Sequence, residues 1–134
     1  MWFATAAGAL ALVQITTAAR IFGKLKRFIP WTLAGAPVNV VHRWSGRLAF
    51  CFTLPVAFHC IFILGFKDTS PRVLAHSIAG SFFYGVFAVK VFAVRERALP
   101  GWVLPVVGGT LFAVLATLWA TSSFWYFTNV RFGF

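Results

Sequence analysis

The sequence predicts an all-α integral membrane four-helix bundle. Two observations carry that reading. Of 134 residues, 60% are hydrophobic and only 10% charged, against about 25% charged in an average soluble domain. The apolar residues also gather into four stretches, each near the roughly 20 residues that cross a hydrocarbon core. One small soluble core could not bury this much apolar surface, so a soluble domain, a disordered chain and a disulfide scaffold are excluded.

The first span covers residues 2–19, interrupted by Gln14 and a few threonines. It lacks the basic leader of a signal peptide and reads as a retained span. Residues 20–37 follow as a basic connection with Lys24, Lys26, Arg27 and two prolines. The second and third spans cover residues 41–66 and 73–94, joined by Lys67, Asp68, Thr69, Ser70 and Pro71, which is good turn chemistry. Arg95, Glu96 and Arg97 mark the next exit, and Pro100 and Gly101 open the fourth span, residues 102–124. Phe124, Trp125, Tyr126 and Phe127 read as an interfacial aromatic belt. The chain reads as a single transmembrane domain over residues 1–134.

The net charge of +10 would suggest nucleic acid on a soluble protein. Here the cations lie mainly between the apolar stretches, where they set topology beside anionic headgroups, so no nucleic-acid partner is expected. Arg20, Lys24, Lys26, Arg27, Arg43, Arg47, Lys90, Arg95 and Arg97 fall on one side, against Lys67, Arg72 and Arg131 on the other. The richer side is expected to be cytoplasmic, with both termini outside a bacterial inner membrane. Cys51 and Cys60, nine helical residues apart, are separated by roughly 13 Å and cannot form a disulfide.

The three histidines, His42, His59 and His76, fall in or at the edges of spans, where ionisable groups read as functional. The plainer alternative for each is an interhelical hydrogen bond. His59 lies about 10 Å below the outer surface by the helical rise, and His76 lies at a similar depth on the antiparallel neighbour. That arrangement would ligate one haem iron from both sides. Gly80, four residues after His76, leaves room for a macrocycle, and Pro55 permits a local bend. Phe62, Phe83, Tyr84 and Phe87 supply flat apolar surface. His42 stands about 25 Å from His59 along one helix and cannot share that iron. It reads with Arg43 and Arg47 as a polar site for a lipid headgroup or a quinone, or as half of a second haem site completed by a partner chain. Structural zinc, copper, paired-carboxylate chemistry and a Ser–His–acid triad find no matching set of residues.

The stretches His42-Arg-Trp-Ser-Gly-Arg-Leu-Ala-Phe50 and Leu54-Pro-Val-Ala-Phe-His-Cys60 carry a resemblance, as do Arg72-Val-Leu-Ala-His-Ser-Ile-Ala-Gly80 and Phe83-Tyr-Gly-Val-Phe-Ala-Val-Lys90. Over residues 38–126 the chain resembles a small actinobacterial four-helix membrane family, similar in style to cytochrome b561 and ferric-reductase-like transmembrane b-type cytochromes. The resemblance implies non-covalent haem b held by transmembrane histidines, and electron transfer. Cytochrome b561 proteins typically hold two haems with four histidines, whereas this chain has three. His42, Ser45 and Arg47 also resemble the HRxxG segment of succinate dehydrogenase anchors, which lies near a haem propionate or a quinone.

The expectation is therefore a b-type cytochrome relaying single electrons through one haem b per chain, ligated by His59 and His76 with Gly80 and Tyr84 at its edge. It would be an electron-transfer subunit of a larger respiratory or redox complex rather than a stand-alone catalyst. Other membrane subunits, a quinone and lipids would be its partners, with an extracytoplasmic cupredoxin, cytochrome c or iron–sulfur protein. The alternative is a haem-free structural or assembly subunit, for which the small faces Ala6–Ala7–Gly8 and Gly108–Gly109 suit packing.

Overall fold

A computed structural model describes residues 1–33 and 35–131. Helix α1 spans Trp2–Ile21. Helix α2 spans Val38–Phe58 and runs on through a π-helical turn, His59–Leu64. Helix α3 spans Pro71–Arg95, and α4 spans Val103–Trp119 with a π-helical turn at Ala120–Phe124. A last π-helical stretch covers Phe127–Arg131. All four are long and apolar enough to cross a membrane. The protein is an all-α four-helix bundle of membrane-spanning helices.

Local chemistry explains the boundaries. The Ser70 hydroxyl accepts the Val73 N–H at 3.3 Å and Pro71 occupies the first helical position, which together start α3. Gly65, at φ +67°, ends the π-helical turn of α2 in a conformation that disfavours side chains. Between α1 and α2, Thr32–Leu33 and Ala36–Pro37 form a two-residue antiparallel ladder. Arg20 ties that connection down, donating from Nε to the Ile29 carbonyl at 2.7 Å and lying over the Trp31 ring. The basic connection is thus folded onto the end of α1. Helix α2 begins three residues before the expected boundary, because Pro37 caps it and Val38 is already buried.

The packing order is α2–α1–α4–α3. Helices α2 and α3, although consecutive, share no extended backbone contact. Side chains bridge them at mid-height instead: Phe50 stacks on Phe87 with ring centroids 4.3 Å apart, and Thr53 Oγ1 lies 3.3 Å from the Tyr84 hydroxyl. Small residues make the close contacts elsewhere, with Ala7, Ala11, Thr17 and Ser123 buried, as expected where lipid offers no hydrophobic drive to associate. Gly8 admits the Trp119 ring, whose nearest carbon would lie 3.2 Å from an added Cβ. Gly108 and Gly109, in contrast, face open space. The outer surface carries exposed Phe28, Phe62, Phe82, Phe92 and Trp102, a lipid-facing composition. The start of α1 meets the end of α4, with Ser123 donating to the Met1 carbonyl and Trp2 against Phe127. Both ends of the described chain therefore sit on the side of the bundle that carries His76.

Candidate functional site

Because α2 and α3 stand apart, a cavity of about 410 Å³ opens between the four helices in the half nearer the termini. Binding sites for small molecules and cofactors commonly fall in the range 300–1,000 Å³. Ala4 and Ala7 of α1, Val56 and Ala57 of α2, and Leu115 and Leu118 of α4 give it apolar walls. Helix α3 supplies His76, Ser77, Gly80, Phe83 and Tyr84. The Thr53–Tyr84 contact and the Phe50–Phe87 stack close its floor.

His76 is held by α4. Its Nδ1 lies 2.9 Å from Thr121 Oγ1, and that hydroxyl lies 2.7 Å from the Thr117 carbonyl oxygen. Two oxygens that close require a hydrogen between them, so the threonine donates to the carbonyl and accepts from His76 Nδ1–H. Nε2 is left with its lone pair. A ligating histidine is typically oriented this way, through a hydrogen bond from its other nitrogen. Arg72 donates to the Thr121 carbonyl at 2.6 Å and lies 3.9 Å over the Trp125 ring, which pins the end of α4 beside His76.

The same construction recurs at the opposite end of the bundle. His42 Nδ1 lies 2.8 Å from Thr17 Oγ1, which lies 2.6 Å from the Val13 carbonyl oxygen. Each imidazole thus meets a threonine on the neighbouring helix, and a glycine follows four residues later in its own helix. Gln14 adds a second tie, its amide donating to the His42 carbonyl and to Ser45 Oγ at 2.7 Å. Gly46 makes room for it, since an added Cβ would stand 3.0 Å from Gln14 Oε1. The His-xxx-Gly spacing at His42/Gly46 and His76/Gly80 is visible in the sequence. The threonines were missed, because their pairing with the histidines needs the helix rotations.

Of the two histidines expected to share an iron, His76 lines the cavity and His59 does not. His59 is exposed, and at its level the cavity wall is made by Ala57, Cys60 and Ile61. Equal depth followed from the helical rise, but one residue is also about 100° of rotation, and that turns Cys60 inward and His59 away. The His42 group divides as well. His42 and Ser45 face α1, whereas Arg43 and Arg47 are exposed, with Arg47 lying over the Trp44 ring at 5.0 Å. Gly80 and Tyr84 do line the cavity with His76. Cys51 and Cys60 are free thiols. No group of three or more His, Cys, Asp or Glu side chains converges among the described residues.

Fold and site together define a multi-pass membrane bundle with one half-buried imidazole presented to a cavity between the helices. By comparison with known families, the chain belongs to a family of unknown function, DUF6529, whose model matches residues 1–134. No curated protein and no solved structure matches it.

Proposed function

We propose that this protein is a membrane b-type cytochrome that relays single electrons, with one haem in the cavity and His76 as the iron ligand supplied by this chain. The observation that carries the reading is His76 itself. Its ring is fixed by Thr121, and it lines an apolar-walled cavity in the range of cofactor sites. The residues present fit the group: a single oriented nitrogen, Gly80 where a larger side chain would intrude, and the flat Phe83 and Tyr84 rings. Haem bound there would supply one-electron redox chemistry, with its potential set by the axial ligand and the polarity around it. His59, facing outward, is no ligand in this arrangement.

The supporting sequence argument places the cation-rich ends, around Lys24 and Arg95, in the cytoplasm and both termini outside the cell membrane. The haem side would then face an extracytoplasmic donor or acceptor, such as a cupredoxin, a cytochrome c or an iron–sulfur protein.

A second reading, a packing subunit of a membrane complex, has one observation in its favour. A groove between α3 and α4, lined by Ser81, Phe82, Gly85, Val89, Val107 and Thr110, faces outward. The two readings combine if the cytochrome is itself a subunit, and they separate on one spectrum. Reduced-minus-oxidised difference bands of b type in the purified protein support the cytochrome. A flat spectrum from protein made with ample haem leaves only the packing role.

A further inference from the structure

The cavity beside His76 has walls of two kinds. Most of its lining residues belong to helices, whose backbone groups are paired within their own helix. Among the described residues that line it, Gly65 and Phe66 alone lie outside a helix. They open the connection between α2 and α3, in which Phe66, Lys67, Asp68 and Thr69 are all exposed. A polar, exposed turn between two spans belongs at the membrane surface. It therefore stands between the cavity and the water on the side of the termini.

That connection is fastened lightly. At one end Gly65 stands at φ +67°, and its N–H donates to the Cys60 carbonyl at 2.8 Å. At the other end Ser70 caps α3. Between these fixed points a single side chain holds the segment down. Ser77 Oγ donates to the Lys67 carbonyl at 2.8 Å and accepts the Lys67 N–H at 3.2 Å. No other hydrogen bond reaches Phe66, Lys67, Asp68 or Thr69 among the described residues. Ser77 itself lines the cavity, so the tie joins the segment to the cavity wall.

Segments with few buried contacts and exposed hydrogen bonds open locally at low free-energy cost. Breaking the two Ser77 bonds would release Phe66 and Lys67 to swing about Gly65, whose backbone tolerates either sign of φ. The helices would keep every bond of their own. We propose that residues 65–70 form a lid on the cavity, latched by Ser77, and that the cavity is loaded and emptied through it from the water on the side of the termini. The rival route is lateral, from lipid through the gap between α2 and α3. The lid goes beyond the haem reading and does not depend on it.

The cavity carries its own reporter, since Cys60 lines it and Cys51 does not. The test uses the full-length protein with Cys51 replaced by serine, purified without haem and held in lipid nanodiscs. A methanethiosulfonate bearing a trimethylammonium group, soluble in water and not in lipid, is added, and modification of Cys60 is followed by mass. The latched protein should react slowly but to completion. Ser77→Ala should raise the rate about tenfold, the worth of one ordinary hydrogen bond. Ser77→Thr, which keeps the hydroxyl, should stay near the slow rate. Ser81→Ala is the control, because Ser81 also lines the cavity but bonds only to the Ser77 carbonyl within α3. Its rate should not change. Alanine suits a helix better than serine, so neither alanine variant weakens α3. An unchanged rate in Ser77→Ala, an equal rise in Ser81→Ala, or a Cys60 that the aqueous reagent never reaches would overturn the lid. The readout contains no haem signal, so such a failure would leave the cytochrome reading standing.

Discussion

Replacing Thr121 by valine removes one hydroxyl and leaves the shape of the side chain nearly unchanged. The hydroxyl accepts from His76 Nδ1 at 2.9 Å, while the Arg72 contact is to the Thr121 backbone carbonyl and survives the change. Two effects follow, of different size. The interhelical hydrogen bond itself is worth roughly 0.6 kcal/mol, at most about 1.7, by analogy with other membrane bundles. Loss of the group that orients a ligating histidine typically weakens the bound centre by about 10–100-fold. Thr121→Val should therefore remain folded and bind haem about 10–100-fold more weakly, and Thr121→Ser should recover most of the affinity. Thr17→Val is the matched control, because Thr17 holds His42 in the same way at the far end of the bundle. It should lose similar stability and keep its haem affinity. Haem titrated into apoprotein and followed by Soret absorbance gives all four affinities. Unchanged affinity in Thr121→Val, or an equal loss in Thr17→Val, would refute the assignment of His76 to the haem and of Thr121 as its orienting partner.

Three further outcomes are expected. Gly46→Ala pushes on Gln14 and should cost about 1 kcal/mol, the worth of its two interhelical hydrogen bonds. In a Gln14→Leu background the same change should add little, and thermal unfolding of the four variants closes the cycle. Gly8→Val overfills the contact with Trp119 and should destabilise by about 1–3 kcal/mol, read by the same melts. A cysteine at Thr69, with Cys51 and Cys60 replaced by serine, should react with an impermeant thiol reagent applied to intact cells. Labelling only after the membrane is opened would invert the orientation.

The spans were legible because hydropathy and helical rise are properties of the chain alone. Residues 2–19 became Trp2–Ile21 and residues 73–94 became Pro71–Arg95, shifts of two residues or fewer at each end. Rotation was not legible. Depth put His59 opposite His76, but which residue faces inward depends on how α2 turns against α1, and the outcome was Cys60. Separation of α2 and α3, neighbours in the chain, was equally hidden, since it follows from α1 packing between α2 and α4. Thr17 and Thr121 looked like ordinary polar interruptions of apolar helices.

The central claim is that His76, alone among the three histidines, anchors one haem in the cavity. Haem per chain, measured as the pyridine haemochrome against protein concentration, tests it most directly in the wild type and in His42→Ala, His59→Ala and His76→Ala. The account predicts one haem per chain in the wild type, in His42→Ala and in His59→Ala, and none in His76→Ala. Full retention in His76→Ala would contradict it, and so would loss of the haem in His59→Ala.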